Sequence, residues 1–378
     1  RYKLFEDYHG AANQWHSKGG EWTVSKQRLR WPIMDIFRNA AVETGIPASD
    51  DFNQGDNFGV GYFDVSQRKG WRLNTSKAFL RDASKRSNLT VITEAMVNKL
   101  LIEPNSKNCY GVQYIKDGVT SEVLCNIAQQ GEVILSAGAI GSVQVLERSG
   151  VGSAAHLNKL GVPVIADLPG VGENLQDHLQ LRMVYKVNGI KTLNTKANTL
   201  WGKMMIGLEY VLKRSGPMSM APSQLGAFAY SSPEQKSANV EYHVQPLSLE
   251  KFGEDLHSFN AFTASVCNLR PTSRGSVHIN SIDPEAPPVI SPNYLSTDED
   301  DPALVRIKKA VIQNESGKEL YSATKGDNGK FKFNMLAYDK TRYTMLEEVD
   351  ETQLRVKVKG QLKSDAGEVI PNAKVVLK

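Results

Sequence analysis

The sequence lacks several features that would assign it to common classes of protein. No apolar run approaches the ~20 residues that a membrane-spanning helix needs, so no transmembrane segment is predicted. The chain has three cysteines, Cys109, Cys125 and Cys267. Three is an odd number and the spacing does not suit a metal, so neither a disulfide framework nor a cysteine metal site is expected. No G-x-S-x-G nucleophile elbow occurs, which leaves a serine hydrolase without support.

Neither basic nor acidic residues are in large excess. The 378 residues carry 45 Lys and Arg against 41 Asp and Glu, a formal net charge of +4. The basic residues are dispersed along the chain, so no nucleic-acid partner is predicted. With 40% hydrophobic and 23% charged residues, the chain is long enough for two or three folded domains.

Hydrophobic periodicity predicts the main elements. A hairpin is expected about the turn Lys116-Asp117-Gly118. It places Cys109 and Cys125 nearly opposite each other, so a disulfide is conceivable, although the low cysteine count favours free thiols. Helices are predicted at residues 32–44, 75–84, 140–148 and 200–214, a loop-rich connection at 51–87, and strands at 181–187, 228–230, 240–245, 259–267 and 275–280 in one antiparallel sheet.

Residues 131–180 form the most informative segment. A buried strand at residues 132–135 is followed by a tight turn of small residues at 136–139 and by a helix at 140–148. Small residues let the backbone approach a bulky ligand, and a helix N-terminus favours anionic groups. The same pattern also serves simply to pack a helix against a strand, so both interpretations remain open.

This segment resembles the glucose-methanol-choline (GMC) oxidoreductases, FAD enzymes that oxidise alcohols. Residues 138–152 (GAIGSVQVLERSGVG) are similar to the family's second signature, although Val143 stands where the family prefers Pro or Ser. Five segments of the chain, this one included, match the family in its order and together cover about residues 1–300. The other four are residues 88–101 (NLTVITEAMVNKLL), 170–178 (GVGENLQDH), 269–279 (LRPTSRGSVHI) and 286–296 (APPVISPNYLS).

The resemblance implies an α+β or α/β fold. A partial FAD-binding, Rossmann-like domain is expected at residues 1–180 and an antiparallel-sheet substrate domain at 181–300. A junction at 301–312 then leads to a small all-β tail at 313–378, which is expected to be incomplete. Residues 317–336 (GKELYSATKGDNGKFKFNML) and 358–377 (VKGQLKSDAGEVIPNAKVVL) resemble two partial copies of the carboxypeptidase-regulatory-like β-sandwich of bacterial envelope and surface proteins.

Two parts of the family's chemistry are not found in the sequence. The G-x-G-x-x-G loop that holds the FAD pyrophosphate is absent, and residues 55–61 (GDNFGVG) have the wrong spacing. Nothing after Ser296 resembles the C-terminal segment that supplies the family's catalytic histidine. The chain is therefore expected to be a fragment that is inactive alone and has no catalytic residue of its own. The alternative is a non-catalytic envelope or binding protein whose functional module is the tail.

The resemblance also implies a cofactor site. Val97 is similar to the family valine that contacts the FAD adenine through its backbone, and an ordinary strand valine is the other interpretation. Ser136, Ala137, Gly138 and Ala139 correspond to backbone that passes close to the cofactor. FAD and a small-molecule alcohol are thus the expected cofactor and substrate, with hydride passing from the alcohol carbon to flavin N5.

Glu241 and His243 are the substrate-side candidates. They alternate on the strand predicted at residues 240–245 and would point to one face of the sheet. If that face lines a cavity they could contact substrate, whereas on an exposed sheet they would only bond to each other. His178 is interpreted as structural, because the family's base comes from the C-terminal segment. No His or Cys spacing predicts a metal site.

Overall fold

The computed structural model describes residues 1–250 and 253–297 throughout, and beyond them the backbone of seven strands between residues 309 and 377. The chain divides into two compact units, Arg1–Asn293 and Tyr294–Lys378. Helices of the first unit are α1 Tyr2–Phe5, α2 Pro32–Glu43, a π-helical turn Ser76–Leu80 that continues into α3 Arg81–Ala83, α4 Gly138–Arg148, α5 Ala154–Lys159, α6 Leu193–Ala197 and α7 Leu200–Lys213, with 3₁₀ turns at Ile127–Gln129 and Pro217–Ser219. None of the helices in the described ranges combines the length and hydropathy of a membrane span.

The strands of the first unit are mostly short and antiparallel. The strands are β1 Glu6–Tyr8, β2 Trp22–Val24, β3 Gly59–Tyr62, β4 Gln67–Arg68, β5 Trp71–Arg72, β6 Met96–Ile102, β7 Cys109–Lys116, β8 Val119–Leu124, β9 Val151–Gly152, β10 Ala166–Asp167, β11 Glu173–Leu175, β12 Gln180–Lys186, β13 Leu225–Ala229, β14 Val240–Gln245, β15 Ala261–Asn268, β16 Gly275–His278 and β17 Val289–Ser291.

The largest sheet has five antiparallel strands in the order β12-β15-β14-β13-β3. Four of them lie where hydrophobic alternation predicts strands. The fifth, β3, falls inside the predicted loop-rich connection, because its sequence Gly-Val-Gly-Tyr has only two side chains larger than hydrogen and gives a weak strand signal. A Cβ at Gly61 would meet the backbone carbonyl oxygen of Ser49, so the glycine permits a close backbone approach.

One face of this sheet packs against α2. The helix begins with Pro32 at its first position and ends at Glu43, with Thr44 as its C-cap and Gly45 after it at φ +98°. Its Met34 side chain has no exposed surface and contributes to the core under the sheet. The buried core consists of Trp31, Ile33, Met34, Val60, Leu225, Ala227, Val244 and Ala264.

The strand predicted at residues 275–280 belongs to a different sheet from the one expected. It is found as β16, which pairs with β11 and β17 in a three-stranded antiparallel sheet. Strand pairing is decided by contacts far apart in sequence, which alternation alone does not specify. The prediction of a single sheet was therefore wrong for this strand.

The predicted hairpin is present as β7 and β8, which form a three-stranded sheet with β6. Asp117 and Gly118 both have positive φ, the conformation of a two-residue turn that matches the strand twist. Cys109 and Cys125 at its two ends are free thiols, as is Cys267.

The strand predicted at residues 132–135 does not form, so this prediction was wrong. In the described part of the chain no strand pairs with it, and the Ile134 side chain is 83% exposed. A strand is stabilised by cross-strand neighbours, and an isolated apolar stretch has none. Helix α4 follows and begins at Gly138, two residues earlier than residue 140, where the sequence predicts it.

The described strands of the second unit form three small antiparallel sheets, β19-β18-β24, β20-β21 and β22-β23. Alternation near residues 330–335 and the predicted final strand coincide with β20 and β24, whereas residues 356–361 lie outside the described residues. The β-sandwich interpretation of this tail stays a prediction. The strands are β18 Lys309–Gln313, β19 Glu319–Thr324, β20 Lys330–Lys332, β21 Glu348–Asp350, β22 Leu362–Lys363, β23 Val369–Ile370 and β24 Lys374–Leu377.

Candidate cofactor and substrate site

The four small residues predicted to face a cofactor form the open start of α4. Ser136, Ala137, Gly138 and Ala139 are all exposed. Among the described residues, no side chain caps the helix at Ala137, so its first N–H groups are available to an acceptor. Gly138 has φ +79°, and no described atom lies within 4 Å of the position that a Cβ would take. A bulky anionic group can therefore approach this backbone, which fits the demands of a dinucleotide cofactor.

The opposite end of α4 is fixed to β6. Arg148 Nε donates to the carbonyl oxygen of Asn98 at 2.8 Å, and Arg148 Nη2 donates to that of Val97 at 3.2 Å. The backbone N–H of Leu100 donates to Ser149 Oγ at 2.8 Å. The half-buried Val97 thus lies beside the C-terminal end of α4, and its carbonyl is engaged in anchoring the helix.

Glu241 and His243 lie together on the face of the large sheet that points away from α2. His243 Nε2 is 3.3 Å from Glu241 Oε1. In the register of β14 with β15, Glu241 is opposite Cys267, which is fully buried. Hydrogen bonds to Cys267 and then to Glu241 raise the pKa of His243 to about 9, against the lowering effect of burial. His243 is therefore a cation at neutral pH and a donor rather than a base.

Aromatic side chains surround this pair. The Phe63 ring lies 5.9 Å from the His243 ring, and the Phe52 and Phe228 rings are 4.9 Å apart beside it. Gly226 is directly opposite His243 in the sheet, and a Cβ there would meet the Phe63 ring. The glycine lets Phe63 lie against the sheet, so the charged pair is set in apolar surroundings.

Sequence reasoning missed Cys267 and Phe63 as neighbours of His243. Cys267 could have been found by aligning the two strands predicted at 240–245 and 259–267 in antiparallel register. Phe63 could not have been found in this way, because it follows the glycine-rich strand β3, which hydrophobic alternation does not predict. His178 bonds through Nε2 to the carbonyl oxygen of Leu269 at 3.1 Å.

Comparison with known proteins identifies the family. Two family models, both described as GMC oxidoreductase, match residues 5–180 and 271–353. Together with the fold and the open start of α4, these matches define the class of protein. The chain belongs to the GMC oxidoreductase family, whose members bind FAD.

Among curated proteins, the chain is 35% identical over 312 residues to an alcohol dehydrogenase [acceptor] of Pseudomonas putida. That alignment covers 82% of this chain and 54% of the relative. Mitochondrial choline dehydrogenase of Mus musculus is 34% identical over 317 residues, with 82% and 52% covered. The chain thus spans about half the length of the curated relatives it matches.

Solved structures show the same fold. Pyridoxine 4-oxidase from Mesorbium loti superposes with a TM-score of 0.67 at 24% identity, over 80% of this chain and 55% of that one. A formate oxidase superposes with a TM-score of 0.69 at 21% identity, over 80% and 58%.

The second family match corrects one expectation. It continues to residue 353, past Ser296, where the sequence resemblance was expected to end. The chain has seven histidines and the last is His278, so residues 279–378 contain no histidine. The matched C-terminal part therefore brings no imidazole to the site from those residues.

Proposed function

We propose that this protein is an FAD-dependent oxidoreductase that acts on the CH–OH group of a small-molecule alcohol. The observation that carries the proposal is the uncapped, exposed start of α4 within the segment that matches the family. The alcohol and choline dehydrogenase relatives support the substrate class.

The backbone of Ser136, Ala137, Gly138 and Ala139 would hold the FAD, with Val97 on the neighbouring strand. FAD supplies the hydride acceptor when it is bound. An anionic part of the cofactor would accept from the first N–H groups of α4, because no described side chain occupies them. Gly138 would permit the close approach, since a side chain there would project into the open space.

Glu241 and His243 would orient the alcohol. The positive charge of the protonated His243 would favour the developing alkoxide, while Glu241 keeps the imidazole charged and oriented. The Phe63 ring beside them would exclude water and so strengthen that interaction. His243 is not the base that removes the hydroxyl proton, because its raised pKa leaves it protonated at neutral pH.

The test is a flavin titration of the purified chain. Bound FAD is measured by the shift of the flavin absorbance bands and by quenching of free-flavin fluorescence. We expect saturable binding that Gly138→Ala weakens by about tenfold, which corresponds to a loss of roughly 1.4 kcal/mol.

Gly161→Ala is the matched control. Gly161 is also exposed, has φ +70°, and has no described atom within 4 Å of a Cβ position. Both variants strain the backbone equally, so only a loss specific to Gly138→Ala assigns the flavin to the start of α4. Equal loss in both variants, or no flavin binding by the chain, would contradict the proposal.

A further inference from the structure

Two imidazoles and one carboxylate converge near the C-terminal end of α4. Glu147 on α4, His156 on α5 and His278 on β16 each place one ligand atom within 4.8 Å of the others. We propose that these three side chains bind a divalent transition-metal ion, with Zn²⁺ as the best match, and that the ion ties three elements together. No feature of the flavin chemistry requires this site.

Glu147 supplies a fixed carboxylate. Its side chain has no exposed surface, and a buried carboxylate is costly unless both oxygens find partners. Oε1 lies 2.7 Å from His278 Nδ1, and Oε2 accepts from the backbone N–H of Ile279 at 2.8 Å. These contacts hold the carboxylate at one position beside the two imidazoles.

His278 is oriented by a second carboxylate. Its Nε2 lies 3.0 Å from Glu173 Oε1 on the paired strand β11, which leaves Nδ1 facing Glu147. A carboxylate on the outer nitrogen of a histidine is the usual support of a metal-bound imidazole. Gly172, at φ +86°, allows this placement, since a Cβ there would lie 2.6 Å from His278 Cε1.

His156 completes the set from the other side. Its Nε2 is 3.9 Å from Glu147 Oε2, and the two imidazole rings are 5.0 Å apart. The same nitrogen lies 2.9 Å from the carbonyl oxygen of Ile279, a hydrogen bond that metal binding would replace. The helix that carries it is held at its start by Asp167, whose Oδ1 accepts from the N–H of Ala154 at 2.9 Å. The His156 and His278 side chains are 28% and 21% exposed, which gives an ion a route from solvent.

The donor set suits zinc. Zn–N and Zn–O bonds of about 2.0–2.1 Å in a tetrahedral site separate ligand atoms by roughly 3.4 Å. The observed separations, 2.7 Å from Glu147 Oε1 to His278 Nδ1 and 3.9 Å from Glu147 Oε2 to His156 Nε2, lie on either side of this value, so side-chain movements would bring the ligand atoms around one ion. Three protein ligands leave a fourth position for water.

Sequence spacing does not reveal this site because its ligands come from three elements brought together by the fold. A second cluster, Glu241, His243 and Cys267, has comparable ligand distances but belongs to the substrate face, the face of the large sheet that points away from α2. It provides the natural internal comparison, because it contains a thiol and the proposed site does not.

The test uses the full chain after removal of bound metal with a chelator. Zn²⁺ is titrated by calorimetry, and Co²⁺ is added separately as a spectroscopic probe. We expect one Zn²⁺ per chain and a visible Co²⁺ spectrum of nitrogen and oxygen ligands, without the thiolate charge-transfer band that Cys267 would give.

His156→Asn is the decisive variant, because it removes one ligand and leaves the contacts of Glu147 with His278 and Ile279 intact. His178→Asn is its matched control, since His178 also bonds through Nε2 to a backbone carbonyl. We expect His156→Asn to abolish Zn²⁺ binding, His178→Asn to leave it unchanged, and Glu173→Gln to weaken it about 10–100-fold.

Three results would overturn the proposal. Wild-type chain that binds no Zn²⁺ makes the cluster a hydrogen-bond network only. Binding that survives in His156→Asn places the ion elsewhere. Binding that His243→Asn abolishes, with a thiolate band for Co²⁺, assigns it to the substrate face. Far-UV circular dichroism of each variant shows whether a loss of binding reflects a loss of folding.

Discussion

Apolar side chains are buried in the large sheet, whereas the apolar run before the open start of α4 leaves Ile134 exposed. In the sheet, Leu225 and Val244 have no exposed surface and pack with α2. Before α4, a run with the same strand-like pattern forms no strand, and Ile134 is 83% exposed. An apolar pattern therefore becomes buried structure only where the chain supplies the packing partner. Where it does not, the surface is open to a ligand.

The largest loss of stability is expected from a substitution in the core of the large sheet. Leu225→Ala should lower the free energy of unfolding by about 2–5 kcal/mol, because it opens a cavity in the sheet core. Ile134→Ala should change it by less than about 0.5 kcal/mol, because the side chain is already in water. Denaturant unfolding of both variants measures the difference. Similar losses would show that the two regions are packed alike.

The next effect concerns the end of α4 that is held to β6. Arg148→Met should destabilise the chain by about 1.5–3 kcal/mol, since it removes charge-assisted hydrogen bonds to two backbone carbonyls of β6. The exposed Arg86→Met is its control and should stay within about 0.5 kcal/mol of the wild type. Denaturant unfolding again measures both, and an unchanged Arg148→Met variant would mean that packing and the Ser149 hydrogen bond hold α4 to β6 without Arg148.

A pH dependence tests the polar face of the sheet. The pKa of His243 is about 9 in the folded chain against an ordinary value of 6.5, so the folded state binds the proton more tightly. Its contribution to stability should be complete below pH 6.5 and lost as the pH rises through 9. The stability difference between wild type and His243→Gln, measured from pH 6 to pH 10, should therefore shrink with rising pH. A difference that is constant with pH would contradict the charged pair.

The smallest effect is expected at the surface. Asp82 and Lys85 form an ion pair at 2.6 Å, but their side chains are 81% and 72% exposed. Water and salt screen such a pair, so Asp82→Asn should leave the melting temperature unchanged within error. A clear drop would show that α3 depends on this contact more than its exposure implies.

Much of the sheet could be predicted because its strands alternate cleanly. The strand at 240–245 and the neighbours at 181–187 and 259–267 were identified from local pattern alone, and so was the pair Glu241 and His243. The features that local pattern did not predict depend on glycine or on contacts between residues that are distant in sequence. Strand β3 is hidden by its two glycines, β16 pairs with β11 across about a hundred residues, and Glu147 meets His278 only after folding.

The cofactor side was predicted by resemblance rather than by pattern. The positions of Ser136 to Ala139 follow from the family signature, and the structure leaves them exposed at the start of a helix. Local pattern alone predicts a buried strand just before them, which is wrong because the described chain offers it no partner. The assignment of these residues as an FAD site stays a prediction.

Hydrogen–deuterium exchange of the chain with and without FAD shows whether the start of α4 binds the cofactor. We expect FAD to slow exchange at the first-turn amides of α4, from Ala139 onward, while the core strand β14 is unchanged. Unaltered exchange at the start of α4 with saturating FAD, or protection confined to other segments, would contradict the assignment of this helix as the cofactor site.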